Sequence, residues 1–148
     1  ATKMADAIFK NGAKIGPFSQ IRPGTVIGED VKIGDYVEIK NSEVGARTSV
    51  AHLTYIGDAD VGEGVNFGCG VCIANFDGQK KYRTVIGDNA FIGCNTNLIA
   101  PVKVGSFAYT AAGTTVTEDV PDEALCIGRP RQENKEEWVR LHNKVRKN

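Results

Sequence analysis

Aliphatic residues recur at about every sixth position along much of the chain, and glycine often follows them. We call these positions beats: Ile15, Ile21, Ile27, Ile33, Ile39, Val44, Val50, Ile56, Val61, Phe67, Ile73, Ile86, Ile92, Leu98, Val104, Thr110 and Val116. A small or β-branched residue usually stands two positions before a beat, and this period of two indicates a short strand with one buried face. Glycine after a beat suits a tight corner. Short strands joined by corners predict an all-β parallel β-helix, in which three hexads, about 18 residues, close one coil.

The beats can be assigned to three walls, numbered 1, 2 and 3 from Ile15, Ile21 and Ile27. Val44 and Val61 each arrive one residue early, and both stand where the chain enters wall 3. After Ile73 the rhythm stops, and residues 75–84 are predicted to form an extruded loop of polar and turn residues. An insertion of seven residues returns the chain to wall 3 at Ile86, but an insertion of one residue with an extra hexad also fits the count.

The chain is predicted to contain one β-helix domain, residues 1–132, followed by a C-terminal helix and tail, residues 133–148. We expect the repeat to end after Val116. Trp138, Leu141 and Val145 are spaced by three, four and seven residues, which predicts a helix from Glu133 to Lys147 with a narrow apolar stripe. This helix is expected to cap the solenoid or to dock on a neighbouring subunit.

Charge and cysteine usage limit the classes of function. Eighteen basic and 18 acidic residues give a formal net charge of zero, so no strong attraction to nucleic acid or to a membrane surface is expected. No stretch approaches the roughly 18 apolar residues of a membrane span. Four cysteines in an otherwise ordinary composition indicate reduced thiols in a cytoplasmic protein. Because the chain opens at Ala1, we expect it to be a segment of a longer protein.

His52 is the strongest candidate for a general base. It stands two residues after Val50, at an outward position of wall 1, whereas His142 lies in the predicted helix and is expected at the surface. If the insertion is seven residues, the same position on successive coils is held by three small residues, and we call the four together the His52 column: His52, Cys69, Cys94 and Ala112. A lone outward histidine is usually an ordinary surface residue. Small neighbours on adjacent coils favour a catalytic role for His52, because they leave a groove for a substrate beside it.

Two cations are predicted to lie one coil apart on wall 2. Arg22 and Lys40 each follow a beat directly, and Tyr55 and Cys72 are likewise stacked just before theirs. Adjacent cations repel unless an anion lies between them, which indicates a phosphate site. The alternative is a pair of exposed charges in water.

Cys69 and Cys72 have the spacing of a metal or redox pair. Structural zinc needs two more ligands, and redox pairs usually open a helix. Neither condition holds, and the phasing puts the two thiols at different positions of the coil. We therefore expect no metal site.

Several motifs in order along the chain resemble one family of enzymes: Gly16-Pro17-Phe18, Ile21-Arg22-Pro23-Gly24, Val37-Glu38-Ile39-Lys40-Asn41, His52-Leu53-Thr54-Tyr55-Ile56-Gly57-Asp58, Val65-Asn66-Phe67-Gly68, Ala74-Asn75-Phe76-Asp77-Gly78 and Gly128-Arg129. Over about residues 12–132 the chain is similar to the C-terminal acetyltransferase domain of bacterial bifunctional enzymes that make UDP-N-acetylglucosamine. In that family glucosamine-1-phosphate N-acetyltransferase is fused to N-acetylglucosamine-1-phosphate uridyltransferase.

The resemblance implies a left-handed β-helix that forms a homotrimer with active sites between subunits, acting on an amino sugar phosphate and acetyl-CoA in bacterial cell-wall synthesis. It implies that His52 is the general base. The implied amino sugar phosphate site consists of Arg22, Lys40, Tyr55, Asn66 and Lys81. The implied acetyl-CoA site consists of Cys69, Asn75, Phe76, Cys94, Ala112 and Arg129. No metal is expected in this domain, and Mg²⁺ and uridyltransferase activity are expected only where a uridyltransferase domain is present.

The chain departs from the family pattern at three of these positions. The family commonly has tyrosine at Phe76, alanine at Cys69 and serine at Cys94. The family's contacts at Phe76 and Cys69 are largely backbone or shape, so only a polar contact from Cys94 would be weakened.

Other functions compete with this interpretation. A γ-type carbonic anhydrase on the same solenoid needs three histidines on zinc, and the chain offers one candidate. An ice-binding solenoid needs a flat outer wall of threonines, whereas the threonines here mostly fall at inward positions. A hexapeptide acyltransferase for another acceptor, such as serine, an aminoglycoside or a nucleotide-linked amino sugar, remains the alternative.

Overall fold

The chain winds into a parallel β-helix whose three walls are parallel sheets. The computed structural model describes residues 1–144, and strands are numbered along the chain. Wall 1 contains β3 (Lys14–Ile15), β6 (Lys32–Asp35), β9 (Ser49–His52), β12 (Asn66–Phe67), β15 (Phe91–Ile92), β18 (Tyr109–Thr110) and β20 (Leu125–Cys126). Wall 2 contains β1 (Lys3–Met4), β4 (Gln20–Ile21), β7 (Glu38–Lys40), β10 (Tyr55–Gly57), β13 (Cys72–Ala74), β16 (Asn97–Ile99) and β19 (Thr115–Val116). Wall 3 contains β2 (Ala7–Phe9), β5 (Thr25–Ile27), β8 (Glu43–Val44), β11 (Ala59–Val61), β14 (Thr84–Ile86) and β17 (Lys103–Val104).

The strand register confirms the predicted phasing. On wall 3, Ile27 pairs with Val44 and Val44 with Val61, so both early beats are single-residue deletions at one edge. Val61 then pairs with Ile86 across the loop. The loop is therefore the seven-residue insertion, and the alternative with an extra hexad is wrong.

The interior consists of stacked beats. On wall 2 the beats Ile21, Ile39, Ile56, Ile73 and Leu98 are each at most 1% exposed, and full burial of one such side chain contributes roughly 1.5–3 kcal/mol. The inward positions before the beats are filled by small and β-branched residues. The threonines among them are all buried, namely Thr25, Thr48, Thr54, Thr84, Thr96 and Thr114, and so is the beat Thr110. Because these threonines are buried, they do not form the outer threonine wall that an ice-binding surface requires.

The solenoid extends beyond the predicted repeat at both ends. β1 and β2 precede the first beat, and they pair with β4 and β5. After Val116 the chain re-enters wall 3 at Val120, which bridges to Val104, and then wall 1 at β20, which pairs with β18. The expectation that the repeat ends after Val116 is wrong, because Val120 arrives after four residues and breaks the rhythm without breaking the coil.

The C-terminal helix is shorter than the predicted span from Glu133 to Lys147. Helix α1 covers only Trp138–Leu141, and its side chains are all exposed. One helical turn that packs against nothing is only marginally stable, because isolated helices below about 12 residues are marginal in water. Val145, Arg146 and Lys147 lie outside the described residues. Among residues 1–144, no helix is long and apolar enough to span a bilayer.

Candidate active site

His52 lies at the edge between walls 1 and 2, as the last residue of β9. Val50 pairs with Phe67, Phe67 with Ile92, and Ile92 with Thr110. Counting two residues on from each reproduces the His52 column on four successive coils. With strands about 4.8 Å apart, the column is about 14 Å long.

A carboxylate extends this edge on the side of His52 opposite to Cys69. Asp35 pairs with His52 in the register of β6 and β9, and its Oδ1 lies 3.9 Å from His52 Nδ1. This distance exceeds that of a hydrogen bond, so Asp35 acts on the imidazole only through its charge, which favours a proton on Nδ1 and leaves Nε2 to accept one. Sequence reasoning missed Asp35, although it also stands two residues after a beat, at Ile33.

The other end of the edge leads to Arg129. A Cβ added to Gly113, the residue after Ala112, would lie 3.8 Å from Arg129 Cδ. Arg129 also lines a cavity of about 400 Å³. Its other lining residues are Ile127, Pro130, Arg131 and Gln132. Cys69, Cys94, Ala112 and Arg129 are therefore arranged along one edge that begins beside His52.

Arg22 and Lys40 lie on adjacent coils of wall 2, as predicted, because Ile21 pairs with Ile39. Each cation has a carboxylate partner within the chain. Arg22 Nη1 lies 2.8 Å from Glu38 Oε1, and Lys40 Nζ lies 3.4 Å from Asp58 Oδ1. The repulsion between the two cations is therefore partly offset within the chain, and the phosphate site stays a prediction.

Lys81 adds a third cation to this group from the loop. The pKa of Lys81 is lowered, first because its neutral amine can accept a hydrogen bond from the Lys40 ammonium group and then because that ammonium group repels its charged form. The pKa of Lys40 is raised, first by that hydrogen bond, with Asp58 reinforcing it against the effect of burial. Three cations (Arg22, Lys40, Lys81) minus two carboxylates (Glu38, Asp58) leave one net positive charge on this surface. Such a surface suits a phosphate.

Asp58 is buried beneath the cations and was not predicted from the sequence. Its carboxylate accepts hydrogen bonds from Asn41 Nδ2 at 2.6 Å and Asn75 Nδ2 at 2.5 Å. Burial alone raises the pKa of Asp58, but these two hydrogen bonds and the charge of Lys40 together lower it below its ordinary value. The side chain of Asn75 is therefore held at the base of the loop.

The loop after β13 is ordered by its own hydrogen bonds. Asp77 Oδ1 accepts from the backbone N–H groups of Gln79 and Lys80, both at 2.8 Å. Phe76 and Lys81 form an antiparallel bridge, and the Phe76 side chain is 56% exposed. This turn pairs Phe76 with Lys81, which belongs to the cation group.

Arg83 fastens the far end of the loop to the coils beneath it. Its guanidinium pairs with Asp60 and donates to the backbone carbonyls of Asn41 and Ala59, each at 3.1 Å. No sequence argument singled out this residue.

Tyr55 and Asn66 lie on different outer faces of the solenoid. Tyr55 pairs with Cys72 on wall 2, as predicted, and its hydroxyl packs so closely over Gly57 that a Cβ there would collide with it. Asn66 is exposed on wall 1, where it pairs with Ser49. One chain therefore does not bring Asn66 to the side of wall 2 that carries Lys40.

The four cysteines are free thiols. Cys69 lies at the edge and Cys72 on wall 2, so the two do not converge, and burial raises the pKa of the Cys72 thiol. In the part of the chain that the structure describes, no three side chains of histidine, cysteine, aspartate or glutamate are grouped as metal ligands would be.

Comparison with known proteins assigns the chain to a family. The family model described as the GMPPB C-terminal domain matches residues 4–104, which include the loop and most of the His52 column. The chain belongs to this family. It is 60% identical over 134 residues to the bifunctional protein GlmU of Acetivibrio thermocellus, a match that covers 90% of the chain and 29% of that protein. It is 63% identical over 131 residues to GlmU of Caldicellulosiruptor saccharolyticus, covering 88% of the chain and 28% of that protein.

The chain thus spans less than a third of the length of these relatives. Their sequences confirm the resemblance to bifunctional bacterial enzymes. Among solved structures, the chain is similar to a mutant of perosamine N-acetyltransferase from Caulobacter crescentus, in complex with CoA and GDP-perosamine. The TM-score is 0.61 at 21% identity, with 88% of this chain and 58% of that chain covered. At this identity the similarity supports the hexapeptide solenoid fold.

Proposed function

We propose that this chain transfers the acetyl group of acetyl-CoA to the 2-amino group of glucosamine-1-phosphate, giving N-acetylglucosamine-1-phosphate for UDP-N-acetylglucosamine synthesis. The observation that carries the proposal is the His52 column, which joins one histidine to a small-residue edge leading to Arg129. The cation group of Arg22, Lys40 and Lys81 supports a phosphate on the acceptor. The 60% identity to bifunctional GlmU supports the same reaction.

His52 is the general base in this mechanism. The amine of the acceptor is an ammonium ion in neutral water and cannot attack a thioester until it loses a proton. Neutral imidazole can accept that proton at Nε2 while Nδ1–H faces Asp35. Attack on the thioester carbon then forms a tetrahedral oxyanion, which needs a hydrogen-bond donor such as a backbone N–H at a coil corner.

The remaining residues orient the two substrates. Arg22, Lys40, Tyr55, Asn66 and Lys81 hold the amino sugar phosphate, so that its amine meets the thioester. Acetyl-CoA lies along the edge of the solenoid. The residues proposed to line it are Cys69, Asn75, Phe76, Cys94, Ala112 and Arg129. The proposed mechanism assigns no step to a metal.

The proposed assembly is a homotrimer in the cytoplasm with active sites between subunits. Asn66 on wall 1 and Lys40 on wall 2 face outward in different directions, and one small acceptor reaches both only when a neighbouring copy supplies one of them. The four free thiols agree with a reducing compartment.

A second candidate function is N-acylation of a different amino sugar. The perosamine N-acetyltransferase structure was solved with CoA and GDP-perosamine, a nucleotide-linked amino sugar, on the same fold. Release of free CoA thiol should be compared for glucosamine-1-phosphate, serine, an aminoglycoside and a nucleotide-linked amino sugar. Preference for glucosamine-1-phosphate supports the proposal, and preference for another acceptor contradicts it.

His52→Ala tests the catalytic assignment. Loss of a general base is expected to lower kcat by at least about a hundredfold, while the dissociation constant of acetyl-CoA changes little, because the edge that holds the coenzyme is retained. Steady-state kinetics and calorimetric titration measure the two effects. His142→Ala, which removes the exposed histidine behind α1, is the matched control and should keep wild-type turnover. Near-normal turnover in His52→Ala would overturn the assignment.

A further inference from the structure

Asp58 belongs to a column of polar side chains at the edge between walls 2 and 3. Asn41, Asp58 and Asn75 each stand two residues after a wall-2 beat, and the pairing of β7, β10 and β13 puts them on successive coils. The central carboxylate accepts one amide hydrogen bond from each neighbour. It is 5% exposed.

Lys40 is the third partner of this carboxylate. Its Nζ lies 3.4 Å from both Asp58 oxygens, and the Asp58 backbone N–H donates to the Lys40 carbonyl at 3.0 Å. The Asp58 carbonyl in turn accepts from the N–H of Thr84 at 3.1 Å, where the loop rejoins wall 3. Asp58 therefore joins a cation on wall 2 to both ends of the loop.

A carboxylate in this place costs free energy unless its donors remain aligned, because burial disfavours the charged form. The two amides and the ammonium group supply that alignment. In return the carboxylate contacts the ends of both side chains, Lys40 Nζ at 3.4 Å and Asn75 Nδ2 at 2.5 Å.

We propose that Asp58 is a positioning residue that holds Lys40 for the phosphate of the amino sugar and Asn75 for acetyl-CoA, and so couples the two substrate sites. This inference rests on the proposed function. It adds a residue that touches neither substrate and acts through two residues that do.

Asp58→Asn tests this role, because it keeps the size of the side chain and replaces one acceptor oxygen by a donor. The amide then faces two amide donors and an ammonium group. We expect KM for glucosamine-1-phosphate and KM for acetyl-CoA each to rise about tenfold, as for the loss of charge-assisted hydrogen bonds, with a smaller change in kcat. Asp122→Asn, which alters an exposed carboxylate that caps the distant Ser106 N–H at 2.8 Å, is the matched control and should keep both values.

If only the loss of a negative charge mattered, KM for glucosamine-1-phosphate would change in the opposite direction. If Asp58 acts only as a counter-charge, its loss strengthens attraction of the anion and lowers KM for glucosamine-1-phosphate. A lowered or unchanged value in a folded Asp58→Asn protein would therefore overturn the positioning role.

The double variant Asn41→Asp/Asp58→Asn separates positioning from folding. It restores a carboxylate–amide pair and lets residue 58 accept again from Asn75, but it takes the negative charge off residue 58, whose oxygens lie 3.4 Å from Lys40 Nζ, and places it on residue 41. We expect the melting temperature to recover and KM for acetyl-CoA to return to within about threefold of wild type, while KM for glucosamine-1-phosphate stays raised. Recovery of both KM values together with stability would mean a purely structural role and would contradict the proposal.

The same experiment distinguishes failure of the proposed function from failure of the role of Asp58. Wild-type protein that turns over glucosamine-1-phosphate supports the proposed function whatever Asp58→Asn does. If the wild type acetylates only another acceptor, the proposed function fails, and KM for acetyl-CoA in Asp58→Asn still tests the link to Asn75.

Discussion

The pKa values of Lys81 and Lys40 are shifted in opposite directions, and this difference should make binding of an anion at the cation group depend on pH. The pKa of Lys81 is lowered, first by the hydrogen bond with Lys40 and then by that group's charge, whereas the pKa of Lys40 is raised by the same hydrogen bond. As the pH rises, Lys81 is therefore the first of the two to lose its charge. In the proposed site, the phosphate of the acceptor would then face two cations instead of three.

Binding of N-acetylglucosamine-1-phosphate, which has no free amine, should therefore weaken as the pH is raised from about 7.5 to 10. Lys81→Arg keeps its charge over this range and should flatten the early part of the decline. Calorimetric titration across the range measures both curves. Lys103→Arg, on wall 3 away from the cation group, is the control and should follow the wild type. Identical curves for Lys81→Arg and wild type would exclude Lys81 as the titrating cation.

At the scale of elements, the loop between β13 and β14 depends on a clamp at its far end. Arg83→Ala removes the ion pair with Asp60 and the hydrogen bonds to the carbonyls of Asn41 and Ala59. The buried Ala59 carbonyl loses a donor, which costs more than the loss of an exposed ion pair alone. We expect faster hydrogen exchange within residues 75–83 and a rise of about three- to tenfold in KM for acetyl-CoA.

Arg47→Ala provides the comparison for this effect. Arg47 forms an exposed ion pair with Glu63 at 2.5 Å, away from the loop. It should leave both the exchange of residues 75–83 and KM for acetyl-CoA unchanged. Equal effects of the two substitutions would mean that the loop does not depend on its clamp.

The strands were predictable from the sequence because each beat carries its own local signal, an inward aliphatic residue and a tight corner. The register as far as the loop followed by counting, and so did the first two members of the His52 column. Beyond the loop the count allowed two insertions, and only the pairing of Val61 with Ile86 decides for seven residues. The same counting would have found Asp35 and the column of Asn41, Asp58 and Asn75, had polar residues after each beat been compared as the small ones were.

Other features could not be found by counting. The hydrogen bonds of Asp58 depend on side-chain directions at corners, where Asn41 and Asp58 adopt positive φ angles of 46° and 52°. The Arg83 clamp joins residues 42 positions apart through one side chain, and no periodic pattern records such a contact. The last coil was missed because Val120 breaks the spacing while its hydrogen bonds to wall 3 persist.

At the scale of the whole molecule, the three walls of the solenoid face outward in three directions. Asn66 projects from wall 1 and Lys40 from wall 2, with His52 at the edge between them. In the proposed assembly, the small acceptor contacts Asn66 of one copy and Lys40 of another. The single chain offers an open edge there, and a cyclic assembly would close it.

Mixing two inactive variants tests this arrangement. Asn66→Asp puts a carboxylate on wall 1 at the proposed acceptor site, and Lys40→Ala/Lys81→Ala removes two cations on the side of wall 2, so each variant alone should lose most activity. If every site takes Asn66 from one copy and Lys40 from the next, random mixed trimers should regain about a quarter of wild-type turnover. Co-refolding the variants, with assembly measured by sedimentation, gives this number, and re-mixed wild-type chains serve as the control. If each site were built from one chain, the mixture would stay as inactive as its parts, because every copy would carry a damaged site.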